Sequence, residues 1–283
     1  MERGIIAGCI CPHPPLIVPS IGGREIGRVE STVSAMRRLA EELRLMAPDV
    51  MVFISPHTPM LPDRFTVKQS SPLRGDFAAF GHPEETLERE CDLELSEAIV
   101  AEGKARGIDI IALPERARSG PMWMGAGARE KLDHGVLVPL YYLGKGVSAK
   151  IVSLSISMLS YRAHQLLGKV VRLACEKLGR EALFIASGDL SHRLLPGAPA
   201  GYSPRGEEFD LAVCRIAEKG AFELLDELDD ELVEEAGECG LRSIHALRGA
   251  LEDYAIENSL LSYEGPYGVG YLVSLHRVTG ARA

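Results

Sequence analysis

ALFIASGDLSH, residues 182–192, decides how this chain is read: an apolar run stops at a glycine-marked turn carrying Asp189, Ser191 and His192. Two further segments repeat the arrangement, GIIAGCICPHPPL at 4–16 with His13 and VMVFISPH at 50–57 with His57. A fourth, LDHGVLVPLYYL at 132–143, sets His134 immediately before its apolar run. Buried parallel strands read as such runs, and open α/β sheets bind ligands in the crevice at the carboxyl ends of their strands. Four imidazoles are therefore expected to meet in one cleft. Neutral imidazole binds metals and also changes charge near neutral pH, so the cluster points to metal binding combined with proton transfer.

Working outward, apolar runs at 4–11, 49–55, 108–113, 136–143, 150–156, 182–187 and 268–276 are expected to be strands. Amphipathic stretches at 24–47, 84–106, 160–179 and 206–227 are expected to be helices. Strands alternating with helices give an α/β fold, a mostly parallel central sheet with helices on both faces and right-handed crossovers. No linker divides the 283 residues, so residues 1–283 read as a single domain, long enough to bury roughly 75% of the surface of the unfolded chain. PGAPAGYSPRG at 196–206 is a loop, either a lid over the site or an ordinary connection. The acidic run DELDDELVEEAG at 226–237 reads as a solvated helix face.

The net charge of −9, without a basic run, argues against a nucleic-acid partner. No stretch approaches the roughly 18 apolar residues of a membrane span, and the first apolar segment is too short for a signal peptide, so a cytoplasmic protein is expected. The 6 cysteines form no CxxC pair and are expected to be reduced; Cys9 and Cys11 share one face of the first strand. MGAGARE and EGPYGVGY lack the context of a dinucleotide fingerprint, and no GxxxxGK[ST] or GxSxG is present.

His13 precedes a proline, which holds its backbone extended, and His57 follows a run that reads as a central strand. Together they make a coherent pair of ligands, because metal sites draw donors from separate elements. Gly135 reads as a helix C-cap, which would make His134 a helix-terminal residue. His192 suits acid/base work, with Asp189 able to orient a ring and Ser191 to cap the next segment. His82, His164, His245 and His276 read as solvated or structural. Two histidines and a carboxylate would form the facial set that leaves open positions on ferrous iron. AGECGLRSIHALRGAL at 236–251 offers Glu238 with Cys239 as a rival, but no spacing rule selects Glu238 among the 40 acidic residues, so the residues alone leave the third donor as some carboxylate or thiolate.

CPHPPL, FISPH, LDHGVLVPL, ASGDLSH, GECGLRS and YEGPYGVGYLV, in this order from residue 8 to 273, together resemble the class III extradiol ring-cleavage dioxygenases of the protocatechuate dioxygenase beta-subunit type, and within them the Memo-like proteins. The resemblance implies Fe(II) on His13, His57 and Glu238, an acid/base role for His192, and a contact between His134 and substrate or dioxygen. It implies a small aromatic substrate of the catechol type, O2 as the second reactant, and cleavage of the ring next to the diol. Memo-like relatives carry a cysteine near the glutamate position, and Cys239 stands beside Glu238 here. The Memo-like alternative is a metal- or peptide-binding module without dioxygenase activity; a third reading, a metal-dependent hydrolase, rests on two histidines and a carboxylate also binding Zn2+ with a water. The residues leave the oligomeric state open, a homodimer being the commonest assembly for a soluble oligomer.

Overall fold

The computed structural model describes residues 4–114 and 131–282. In chain order the elements are β1 (Ile5–Cys11), α1 (Pro19–Gly22), α2 (Glu30–Leu45), β2 (Val50–Ser55), β3 (Phe65–Gln69), β4 (Leu73–Phe77), β5 (His82–Arg89), α3 (Leu93–Ala105), β6 (Ile110–Pro114) and α4 (His134–Leu143). They continue as β7 (Lys150–Ser155), α5 (Tyr161–Leu178), β8 (Ala182–Ser187), α6 (Arg205–Lys219), α7 (Asp230–Ala236), α8 (Leu241–Leu251), β9 (Tyr254–Glu264) and β10 (Tyr271–Ala281). An eight-stranded sheet runs in the order β6-β3-β7-β2-β8-β1-β10-β9, and β4 and β5 form a separate two-stranded hairpin.

The central strands β7, β2, β8 and β1 are parallel. Because side chains alternate across a strand, β2 feeds two cores: Val50, Val52 and Ile54 enter one, Met51 and Phe53 the other. On the first face α3, α5, α6 and α8 cover the sheet with residues such as Leu95, Leu167, Phe209 and Leu247. On the second α2 and α4 cover it with Met36, Leu39, Val136 and Leu140. This two-sided burial is why the strands read as unbroken apolar runs rather than as alternation. The expected α/β architecture, mostly parallel with helices on both faces, is the one observed. Antiparallel pairing enters where β10 joins β1 and β9, and where β3 meets β7.

Several expectations need correction. Residues 136–143 are not a strand but the body of α4, which is buried along nearly its whole length. A short apolar run does not distinguish a buried strand from a buried helix, and Pro139 within it argues against a central strand. His134 consequently opens a helix instead of ending one, and Gly135 is not a C-cap. The stretch 84–106 divides: β5 takes its first part, and α3 begins only after Asp92, whose side chain accepts from Leu95 N at 3.1 Å. The helix expected from residue 24 starts at Glu30, after a 3-10 segment at Gly23–Val29. The short strands β3 and β4 and the half-buried edge strand β9 form where no apolar run predicts a strand. The glycine-rich MGAGARE and most of the helix expected before His134 lie outside the described residues. Among the described residues no helix is long and apolar enough to cross a membrane.

Candidate metal centre

The sheet order sets β8 between β2 and β1, so the turns after these three strands open side by side. Cys11 pairs with Ser187, and Gly188 N donates to Cys11 O at 3.1 Å, which brings the CPHPPL and SGDLSH turns together. His13 N then donates to Asp189 Oδ1 at 2.9 Å. The SPH turn follows β2 on the other side of β8, and α4 crosses beneath with His134 in its first turn.

His13, His57 and His134 each offer a ring nitrogen, and the three lie within 4.8 Å of one another. His13 Nε2 and His57 Nε2 are 3.2 Å apart, and the His57 and His134 ring centroids 4.0 Å. His13 is buried, His134 half-buried and His57 exposed, so the group is open on one side. Burial, reinforced by the neighbouring His57, pushes His13 down to about 3 against the pull of Asp133. Burial followed by His57 and His13 pushes His134 down to about 4. Both rings are therefore neutral near pH 7, the state in which imidazole ligates. Two nitrogens bound at about 2.0–2.1 Å to one cation stand about as far apart as these two. The donor set fits a divalent transition metal.

Two anchors hold the rings. Asp133 stands at the N-cap position of α4 but its side chain does not cap the helix. Instead Oδ1 accepts from Ser55 Oγ at 2.6 Å and Oδ2 from Thr58 Oγ1 at 2.7 Å, so the carboxylate ties the turn bearing His57 to the helix start bearing His134. Ser55 Oγ also accepts from His57 N at 3.1 Å. The second anchor is Ser187, whose Oγ donates to Gly135 O and lies 3.0 Å from His13 Nδ1. Ser55, Thr58, Asp133 and Ser187 went without a role in the sequence; their only signal is position, each within two residues of a motif histidine or at the end of its strand.

Of the residues expected to act together, His13 and His57 meet, and His134 joins them. His192 lies on the same β8 turn; its Nδ1–H donates to Leu190 O at 2.9 Å, which leaves Nε2 as the acceptor nitrogen. Glu238 does not belong to the group within 4.8 Å. Its carboxylate accepts from Leu241 N at the start of α8, and burial raises it to about 7. Cys239 is the nearer of the two neighbours, with Sγ 3.7 Å from His13 Nε2 and accepting from Asp189 N at 3.3 Å. Burial, with the Asp189 charge, holds the thiol well above its ordinary range. A methyl group on Gly188 would overlap Gly240 Cα, and this bare backbone contact is what lets the segment of Cys239 lie against the β8 turn.

The family model for the catalytic LigB subunit of aromatic ring-opening dioxygenase matches residues 7–274. The chain belongs to the LigB family. Among relatives of this LigB chain, Protein CA_C1420 of Clostridium acetobutylicum is 34% identical over 265 residues, which is 93% of this chain and 55% of that protein. The LigB chain thus spans about half the length of that relative. The 2-aminophenol 1,6-dioxygenase beta subunit of a Pseudomonas species is 25% identical over 261 residues, covering 82% of this chain and 80% of the other. The crystal structure of the uncharacterised protein JW3007 from Escherichia coli K12 superposes with a TM-score of 0.58 at 14% identity over 96% of this chain and 99% of that one, a likeness of fold. All six LigB-like motifs, from CPHPPL to YEGPYGVGYLV, fall within or at the edge of the matched residues.

Proposed function

We propose that the chain is a non-haem Fe(II)-dependent extradiol dioxygenase that opens a catechol-type ring beside its diol and leaves both atoms of O2 in the product. One observation carries this reading: in a LigB-family chain, the Nε2 atoms of His13 and His57 approach to 3.2 Å at the ends of strands on either side of β8. His13 and His57 are the two imidazole ligands, and Glu238 supplies the carboxylate of the facial set by leaving its contact with Leu241 N. When bound, Fe(II) supplies Lewis acidity toward the diol and electron exchange with O2.

His192, with Nδ1–H committed to Leu190 O, takes the proton of a diol hydroxyl on Nε2 and returns it as the ring opens. His134 donates a hydrogen bond to the anionic substrate oxygen. Phe80, whose ring stands edge-on to His134 at 5.4 Å and is 38% exposed, offers an apolar wall for an aromatic ring. Holding the two reactants beside these groups supplies much of the acceleration.

The test is oxygen uptake with a panel of catechols after anaerobic Fe(II) loading. Uptake with a ring-opened product is expected. Bound iron with no uptake on any catechol overturns the dioxygenase and favours a Memo-like binding module.

A second reading draws on the grouping of His13, His57 and His134, a three-imidazole set of the kind that binds Zn2+ with water as fourth ligand and activates it for hydrolysis. The two readings differ in the third donor. Under the iron reading Glu238→Gln lowers metal content more than His134→Gln does, and under the zinc reading the order reverses.

A further inference from the structure

In an α-helix the carbonyl of residue i accepts from the N–H of residue i+4. For Gly135 in α4 that donor position is Pro139, which has no N–H. The freed carbonyl is buried, where an unpaired acceptor is costly. It is satisfied from outside the helix: the Ser187 hydroxyl, fully buried at the end of β8, donates to Gly135 O.

A hydroxyl has one proton to give. With that proton on Gly135 O, Ser187 Oγ meets His13 Nδ1 at 3.0 Å only as an acceptor, so the hydrogen of this contact sits on Nδ1. His13 Nε2 is then the bare nitrogen, the one facing His57 Nε2 at 3.2 Å and Cys239 Sγ at 3.7 Å.

We propose that Pro139 sets the tautomer of His13: by withholding a helix N–H it commits the Ser187 hydroxyl to the Gly135 carbonyl, and Ser187 in turn accepts the Nδ1 proton of His13. The ring is thereby presented with its lone pair on Nε2 before any ligand arrives. That this prepares a metal ligand rests on the metal-dependent reading above; the tautomer itself does not. Pro139 and Ser187 are positioning residues, acting through His13.

The test uses the full chain, metal-free and labelled with 15N at histidine, and reads the two ring nitrogens of His13 by long-range 15N–1H correlation. The wild-type protein is expected to show Nδ1 protonated and Nε2 bare. Pro139→Ala restores a backbone N–H for Gly135 O and releases the Ser187 hydroxyl to donate to His13 Nδ1, so the Nε2–H form should appear. Ser187→Ala should do the same by removing the acceptor, and Ser187→Thr should keep the wild-type pattern. Ser187→Ala also serves if the proline variant fails to fold. Titrated with Co(II), Pro139→Ala and Ser187→Ala should bind about 10–100-fold more weakly, the range typical for loss of a group that orients a ligand.

An Nε2–H tautomer in the wild-type protein, or an unchanged tautomer in either Pro139→Ala or Ser187→Ala, overturns the proposal. Should the wild-type protein show the Nδ1–H form yet bind no Co(II), the metal reading falls and the tautomer assignment stands.

Discussion

At the scale of single residues, the division of labour around the three imidazoles yields separable effects. His192 is held through its own Nδ1–H and lies outside the group of His13, His57 and His134. Under the dioxygenase reading, His192→Ala should abolish oxygen uptake while bound iron, measured by metal analysis, stays near the wild-type level. Loss of iron would make His192 a ligand. Asp133 has a different part, since it accepts both the Ser55 and the Thr58 hydroxyls. Asp133→Ala removes the carboxylate that accepts from two buried hydroxyls, those of Ser55 and Thr58, and should cost about 1–3 kcal/mol in urea denaturation. The same variant should weaken Co(II) binding about tenfold or more, because the His57 turn loses its tie to α4. His13 and His57 were legible in the sequence because each follows an apolar run directly. Asp133 lies inside the same motif as His134 but leaves no trace of its role, because its partners lie 78 and 75 residues away along the chain.

At the scale of elements, packing of α5 on α8 fixes the face of the sheet beneath the β8 turn. A methyl group on Gly249 would run into the Gln165 carbonyl, and one on Gly168 into the Ala246 carbonyl. The obstacles are backbone atoms of the facing helix, so neither can move aside as a side-chain tip would. Gly249→Ala should therefore destabilise the protein by about 1–3 kcal/mol in spite of the better helix propensity of alanine, as read by the denaturation midpoint. A stabilised variant would mean that the helices separate freely. Two elements depart from their sequence pattern, each for its own physical reason. α4 is apolar all round because it is buried on all sides, which erases the helical period. β5 alternates exposed and half-buried residues in a hairpin that carries many charges, so its charged positions resemble a helix face.

At the scale of the whole molecule, stability should depend on pH through His276, a buried histidine outside the group of His13, His57 and His134. His276 is fully buried between Asn258 Oδ1 at 2.8 Å and Ser274 Oγ at 2.9 Å, and burial pushes it down to about 3. Between the ordinary value of about 6.5 and that folded value, the unfolded chain binds a proton that the folded one refuses, so stability is lost as pH falls. From pH 7 to pH 5 the wild-type protein should lose about 2 kcal/mol more than His276→Gln, measured by denaturation at each pH. Asp210, raised by burial to about 7, acts with the opposite sign but is present in both proteins and drops out of the difference. An equal pH slope in the two proteins would show that His276 does not stay neutral. The sequence by itself determined the layered α/β architecture and the motif histidines, because two-sided burial writes strands as apolar runs and parallel sheets set their ligands at the strand ends. Only the tertiary structure decided which donors stand together, His134 with His13 and His57, Cys239 nearer than Glu238. Convergence depends on strand order and on contacts such as Gly188 against Gly240, which join residues far apart in the chain and leave no local trace in it.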